Sequence, residues 1–248
     1  MNRRRRLGGF HAVQAALEHA PEQVTGIWVN RLRRDKRLAN VAARLKELGI
    51  VLDSVDTKDL DKLCDSRNHQ GIVIELDLPG ELTERELGQA IAKHSKTTLL
   101  LVLDCVQDPH NLGACLRTAD AVGAHGIVIT KDKSVGITPT VYKIASGAAE
   151  SVPVYRVTNM SRALKWLKKK GIWIIGAAGE ASLDLYATDM TGPVAIVIGA
   201  EATGLRRLTR EQCDLLVRLP MQGQIQSLNL SVAAGVLLYE VVRQRGSR

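Results

Sequence analysis

Aromatic residues are scarce in this chain. They make up 3% of its 248 residues, as three Trp, four Tyr and a single Phe, Phe10. That argues against nucleic-acid recognition by a platform of stacked rings. Cysteines number four. Cys64, Cys105, Cys115 and Cys213 form no close-spaced metal motif and no disulfide framework, so neither a metal nor a disulfide is expected. Such a set fits a reducing compartment. No apolar run approaches the length of a membrane span. Residues 3–6 are all Arg, as in the basic start of a signal peptide. The following Leu7-Gly-Gly-Phe-His-Ala-Val-Gln lacks a continuous apolar core, and Glu18 soon follows. A cytoplasmic protein without a membrane partner is expected. A full dinucleotide fingerprint is missing too. Gly176-Ala-Ala-Gly179 mimics half of one, without the spacing or a convincing crossover helix. Low-complexity tracts and internal repeats are absent.

Positive charge is in excess, with 34 Lys and Arg against 26 Asp and Glu, a net +8. Cations gather near the start, at residues 3–6 and then at Arg31, Arg33, Arg34, Lys36 and Arg37. This favours a polyanionic partner, although a solvated charged face explains the same residues. Apolar residues reach 45%, enough for a core, and the length suits one large domain or two modest ones.

Residues 1–78 read as a small α/β unit. Helices are expected at 12–19 and 35–48, and a short one at 57–64. Strands are expected at 26–29, 51–55 and 71–76. Leu38, Val41, Ala42, Leu45 and Leu48 make one apolar stripe, ended by Gly49. Pro79-Gly80 marks a break, and 79–96 reads as a linker with helical character. From 97 to 248 strands and helices alternate. Strands are expected at 99–104, 126–130, 152–155, 172–177, 194–198 and 215–219, and helices at 112–122, 139–146, 161–170, 205–213 and 229–243. Such alternation predicts a parallel sheet covered on both faces. The last helix is apolar nearly all round between Leu230 and Leu238, where a surface helix shows one stripe. Burial on two sides is expected, against its own sheet and against a partner subunit.

Three polar clusters follow apolar strands: Asn111-Leu-Gly-Ala-Cys-Leu-Arg117, Gly199-Ala-Glu201-Ala-Thr-Gly204 and Ser227-Leu-Asn229-Leu-Ser231. Open α/β sheets bind ligands beyond the carboxyl ends of their strands, so distant loops can meet at one site. Each residue has two readings. Gly199 and Gly204 let backbone approach a ligand, or merely shape a strand-to-helix turn. Asn111, Ser227 and Asn229 serve a site, or cap helices. Leu219 and Leu228 read as plain core residues when taken alone. Arg117 sits amid Ala114, Leu116, Ala119 and Ala121, where a buried cation needs an anionic partner. Glu201 and an RNA phosphate are the candidates. Cys115 reads as a packing residue.

Together the clusters resemble the three motifs of the SpoU/TrmH class of SPOUT RNA methyltransferases. Residues 108–117, 197–205 and 219–231 match them in order, and Gly9-Phe-His-Ala-Val13 and His69-Gln-Gly-Ile72 extend the likeness through the N-terminal part. Among class members, those that methylate a guanosine 2′-oxygen of 23S ribosomal RNA are the most similar. The resemblance implies a C-terminal trefoil-knot domain, S-adenosylmethionine as cofactor, a homodimer, and an N-terminal domain like ribosomal protein L30e that grips RNA. It implies the peptidyl-transferase P loop as target. It assigns catalysis to Arg117, with Asn111, Glu201, Ser227 and Asn229 in support, and cofactor contacts to Gly199, Leu219 and Leu228. Glu150 also recurs in the family. Methyl transfer to a ribose hydroxyl needs an electrophilic methyl, a nucleophilic oxygen and their alignment. Guanidinium stays protonated in proteins, so a phosphate clamp is easier to accept for Arg117 than a general base. A transfer-RNA 2′-O-methyltransferase of the same class and a non-catalytic ribosome-assembly factor are the alternatives.

Overall fold

The computed structural model describes residues 2–64, 69–201 and 203–246. The chain divides into two units. One comprises Met1–Gly80 with Ile137–Lys143, the other Glu81–Gly136 with Ile144–Arg248.

The first unit carries β1 (Asn2–Gly8), α1 (Phe10–His19), β2 (Val24–Asn30), α2 (Lys36–Leu48), β3 (Asp53–Val55), α3 (Thr57–Leu63) and β4 (Ile72–Pro79). Its sheet runs β1-β4-β2-β3, antiparallel except for the β2–β3 pair. Helix α2 starts where the Asp35 side chain accepts from the Leu38 amide at 2.9 Å, and ends at Gly49, whose φ of 70° closes it. Val41 and Leu45 of its stripe are buried, with Leu38 and Leu48 packed against the same core. The basic run at residues 3–6 is not a free cluster but part of edge strand β1, a reading the row of like charges conceals. Arg6 Nε donates to Glu75 Oε2 at 2.8 Å, and its guanidinium lies 5.7 Å from the Trp28 ring centroid. Arg5 donates to the Ile137 carbonyl. Burial opposes charge on Glu75, yet hydrogen bonds from Arg6 and Thr25 outweigh it and hold the carboxyl below its ordinary pKa.

The second unit opens with β5 (Leu82–Thr83) and α4 (Glu84–Lys93). The stretch expected as a linker is therefore part of the fold. Thr83 and Glu86 form a reciprocal capping box at its start. Leu87 and Ile91 then enter the core of the large sheet, which a polar composition with two buried positions hides. There follow β6 (Leu99–Asp104), α5 (Pro109–Ala121), β7 (Ile127–Thr130), α6 (Pro139–Ala145, most of which belongs to the first unit), α7 (Ala148–Ser151), β8 (Val154–Val157), α8 (Met160–Lys169), β9 (Trp173–Ala177), β10 (Leu183–Asp184), β11 (Val194–Gly199), α9 (Arg207–Arg210), β12 (Leu215–Arg218) and α10 (Leu230–Gly246). The sheet order is β10-β12-β9-β11-β6-β7-β8-β5, and every pair is parallel. Central β6 is buried along its whole length, as a parallel strand covered on both faces must be. Leu100 and Val102 join a core with Leu164 and Leu167 of α8. Alternation turns Leu101 and Leu103 to the other face, and α10 packs on α5 and β11. Helix α9 is much shorter than the expected 205–213, because residues 205–206 lie before it and 211–213 form a turn after it.

Candidate active site

Parallel pairing brings four strand ends to one edge. Asp104 of β6 stands opposite Gly199 of β11, and Ala177 of β9 opposite Val217 of β12. The loops at 105–108, 178–182 and 219–229, with residues 203–206, therefore share that edge.

After β6 the chain turns sharply, with Cys105 at a φ of 65°. Asp108, not Asn111, is the N-cap of α5. Its side chain accepts from the His110 amide at 2.9 Å, and Pro109 takes the first helical position. Asn111 thus lies inside the first turn and is 6% exposed. A buried amide needs partners, and it finds them on the other two motifs. Asn111 Nδ2 donates to Glu201 Oε1 at 3.2 Å, while Asn229 Nδ2 donates to Asn111 Oδ1 at 3.0 Å and to Glu201 Oε1 at 2.8 Å. The Leu230 amide adds a donor to Glu201 Oε1 at 3.3 Å. One carboxylate oxygen collects three donors; Oε2 carries no hydrogen bond from the described residues.

Asn229 does both jobs left open for it. Its Oδ1 accepts from the Ser231 amide at 2.9 Å and from the Ser231 hydroxyl at 2.7 Å, which caps α10, while its Nδ2 ties that helix to the other motifs. Ser227 is exposed and caps nothing among the described residues. Leu219 is half-buried and Leu228 is 39% exposed, so neither is a plain core residue.

Gly199 has a local reason to be glycine. A Cβ there would lie 2.0 Å from the Gly204 carbonyl carbon and 2.3 Å from the Leu205 nitrogen. The loop folds back on the strand end, and the Gly204 amide donates to the Ala200 carbonyl at 2.7 Å. Gly204 itself turns with a φ of 63°.

Arg117 differs from expectation. It is exposed rather than buried, and Glu201 is not its partner, since that carboxylate is taken by the two asparagines. Among the described residues it makes no ion pair, so its guanidinium is open to an external anion. Cys115 is fully buried, and burial pushes its thiol up to about 12, as befits a packing residue. Glu150 lies in α7, which packs on α5.

Two features were not singled out in the sequence. The loop after β9 reaches this edge as well, where a Cβ on Gly179 would lie 4.0 Å from the Gln226 carbonyl oxygen. The half fingerprint at 176–179 was its signal. Asp104 is wholly buried and binds Arg206 through Nε at 2.8 Å. An Asp closing an otherwise apolar strand was the signal there.

Residues 98–239 match the profile described as SpoU rRNA Methylase family, and residues 6–81 match RNA 2′-O ribose methyltransferase substrate binding. The chain is 50% identical over 238 residues to the 23S rRNA (guanosine-2′-O-)-methyltransferase RlmB of Haemophilus influenzae, covering 96% of each chain. It is 49% identical over 239 residues to the RlmB of Shewanella oneidensis, covering 96% of this chain and 97% of that one. The crystal structure of the SpoU methyltransferase AviRb from Streptomyces viridochromogenes, in complex with AdoMet, aligns with a TM-score of 0.64 at 25% identity, over 98% of this chain and 91% of that one. With its three motifs joined at one sheet edge, this chain belongs to the SpoU rRNA methylase family.

Proposed function

We propose that the protein transfers a methyl group from S-adenosylmethionine to the ribose 2′-hydroxyl of a guanosine in the P loop of 23S ribosomal RNA. The observation that carries this reading is the hydrogen-bonded ring of Asn111, Glu201 and Asn229, drawn from three separate motifs in a chain whose relatives bear that activity in their names. A polar cluster cross-linked by its own hydrogen bonds is the kind of preorganised setting that a positioning-limited reaction requires.

The cofactor would supply the electrophilic methyl; as the O–C bond forms its C–S bond breaks, the neutral thioether leaves, and the hydroxyl proton passes to water. Leu219 and Leu228, half-covered apolar side chains on the same edge as Gly199, suit an adenine, and the close turn at Gly199 exposes loop backbone for polar contacts. Arg117 holds the phosphate beside the acceptor ribose and stabilises charge near its 2′-oxygen. Glu201 acts through the two asparagines and offers its free Oε2 to the acceptor side. Ser227, exposed on the loop before α10, lies within the same motif and supports that loop. The names of the relatives favour ribosomal over transfer RNA, and the intact polar ring speaks against a non-catalytic assembly factor.

A homodimer through the C-terminal unit fits α10, which leaves Val232, Tyr239 and Val242 exposed on one side. A trefoil knot is the family's way of holding these loops, and the non-sequential order β9-β11-β6 with α10 returning to α5 accords with one. The first unit serves RNA binding, with the second, from Glu81 onward, as the catalytic part. Work on ribosomal RNA implies the cytoplasm; no described helix is long and apolar enough to cross a membrane, and no group of three or more described His, Cys, Asp or Glu could hold a metal.

Methyl incorporation from labelled S-adenosylmethionine into unmodified 23S ribosomal RNA and into transfer RNA tests the assignment. Arg117→Ala should cost ~10²–10³ in rate, and Arg117→Lys, which keeps the charge but loses the planar fork, should lose most activity. Cofactor binding should stay close to normal in both. Near-normal turnover of Arg117→Ala would remove the residue from the mechanism.

A further inference from the structure

A cavity of about 390 Å³ opens in the second unit at the carboxyl ends of β7 and β8. Lys133, Arg206 and Arg207 line it with one carboxylate, Asp132, and with the hydroxyls of Thr158 and Ser161. Arg206 is the unusual member. Asp104, with no exposed surface, takes its Nε at 2.8 Å and its Nη2 on Oδ1, and takes its backbone amide at 3.2 Å on Oδ2. The hydrogen bonds to Asp104 push the Arg206 pKa up further, against a smaller effect of burial. No described residue accepts a hydrogen bond from Nη1. One edge of the guanidinium is therefore fixed and the other is left for the cavity.

Stability alone is a weak reason for this arrangement. Burying a carboxylate costs solvation that its ion pair only partly returns, and an apolar pair of similar volume does as well or better. Fixing a charged donor before the ligand arrives is what such a pair does well. Lys133 is also held deliberately. It has a φ of 60° in a turn that Thr130 closes through its hydroxyl, bonded to the Asp132 carbonyl at 2.7 Å and to the Ser134 hydroxyl at 2.7 Å. Backbone strain of that kind costs energy and persists where position matters. Arg207 is 76% exposed and pairs with Glu211.

Asp104 faces Gly199 across the β6–β11 ladder, and Arg206 ends the loop that begins there. The cavity thus shares a wall with the loop that carries Glu201. A forked guanidinium flanked by two more cations and by hydroxyl donors matches a phosphodiester. We propose that this cavity is a phosphate subsite for the RNA strand flanking the acceptor ribose, with Arg206 as its forked donor and Asp104 as the residue that positions it. The proposal rests on the RNA methyltransferase reading above and extends it to a second contact on the catalytic unit.

The test uses the full chain and an unmodified 23S ribosomal RNA transcript. Affinity is measured over a range of salt, S-adenosylmethionine binding by calorimetry, and folding by thermal melting. Lys133→Ala combined with Arg207→Ala changes exposed side chains only. It should weaken RNA binding about tenfold and lower the salt slope by about one to two. KM for RNA should rise while kcat and cofactor affinity hold. Arg206→Lys keeps the charge without the fork and should also raise KM for RNA. Asp104→Asn removes the charge that holds the guanidinium and the Oδ2 acceptor of the Arg206 amide, and should do the same at unchanged cofactor affinity. A merely structural pair would instead lower the melting temperature and depress kcat and both affinities together. Unchanged RNA affinity and salt slope in the double variant would overturn the subsite. A loss of cofactor affinity equal to that of RNA would overturn it too, and place the cofactor's carboxylate there. Binding is measured apart from turnover, so an inactive wild-type chain overturns the assigned reaction while the binding arm alone decides the subsite.

Discussion

Replacing Gly199 by Ala adds one methyl group at the least forgiving point of the site. Its Cβ would stand 2.0 Å from the Gly204 carbonyl carbon and 2.1 Å from the oxygen, where real side chains stay beyond 3.0 Å. Both obstacles are backbone, so no rotamer change relieves them. The backbone at Gly204 and Leu205 must retreat by roughly 1 Å in an interior packed as densely as a crystal. Two consequences follow. Overpacking of this kind costs about 1–3 kcal/mol, which lowers the melting temperature by roughly 2–12 °C for a domain of this size. The retreat also pulls Glu201 away from Asn111 and Asn229, whose bonds to it at 3.2 and 2.8 Å have little slack. A misplacement near 1 Å costs ~10²-fold in rate where alignment carries the barrier. Gly204→Ala provides the control. Nothing lies within 4 Å of its added Cβ, and only its φ of 63° resists, so it should cost about 1 kcal/mol and much less activity. Calorimetry and methyl incorporation at saturating substrates read both effects. Wild-type turnover and melting in Gly199→Ala would refute the reasoning, because the loop would then have room that this geometry denies.

Glu201→Gln keeps the shape but replaces an acceptor-only oxygen pair by an amide. Its one carbonyl oxygen can still take the donors of Asn111, Asn229 and the Leu230 amide, but the charge is gone and an NH₂ donor stands where the free Oε2 was, so activity should fall ~10²-fold with cofactor affinity nearly unchanged; equal turnover would show that the ring needs no carboxylate. Stability should decline as pH falls below the ordinary imidazole value of 6.5, because burial, and then the charge of neighbouring His94 and of Arg245, holds His125 below it. The unfolded chain then takes up a proton that the native state resists, so the contribution is present above 6.5 and lost as pH drops through the depressed value. Melting curves between pH 5 and 7.5 should show this slope, and His125→Asn should flatten it. A C-terminal fragment starting at residue 81 should fold, whereas one starting at 97 discards Leu87 and Ile91 from the core. Each deletion of a buried aliphatic costs about 2–5 kcal/mol, so equal melting temperatures for the two fragments would contradict the placement of α4.

Much of the parallel sheet is legible in the chain because its strands are continuous apolar runs. The expected strand at 99–104 coincides with β6, and each of the other five expected in this part lies within two residues of an observed one. Strand β1 escapes notice because its side chains are mostly arginine, and an edge strand needs no apolar alternation to pair. The cap reading left open for Asn111 falls away because the stronger start signal, Asp108 followed by Pro109, lies three residues earlier. The meeting of Asn111 with Glu201 and Asn229 is a different matter. These residues are 90 and 118 positions apart from Asn111, and their contact depends on β11 lying beside β6, out of chain order. Periodicity carries no information about strand order. Only the family likeness made their convergence an expectation. The same holds for Arg117: the small apolar residues around it suggest burial, yet the helix turns that side outward.

Helix α10 explains how so polar a cluster can be held by so apolar an element. Leu230, Ala234, Leu237, Leu238 and Val241 are buried, while Val232, Tyr239 and Val242 on its other side are just as apolar. Hydrophobicity alone therefore sets neither its rotation nor its axial position, since burial is non-directional. Hydrogen bonds at the two ends set both. At the far end Gln244 donates to the Thr188 carbonyl at 2.9 Å and accepts from the Met190 amide at 2.8 Å, and Arg245 spans the carbonyls of Thr97, Thr98 and Gly192 at 3.0, 3.1 and 2.7 Å. Buried Glu240 braces this end through Arg243 and Gln244. At the near end, about 24 Å away at 1.5 Å per residue, Asn229 caps the helix and closes the ring with Asn111 and Glu201. A rod fixed at its base by five backbone contacts delivers its first residue to the site with little freedom left. Asn229 can then serve as cap and as active-site ligand at once, because the helix it caps has already been placed.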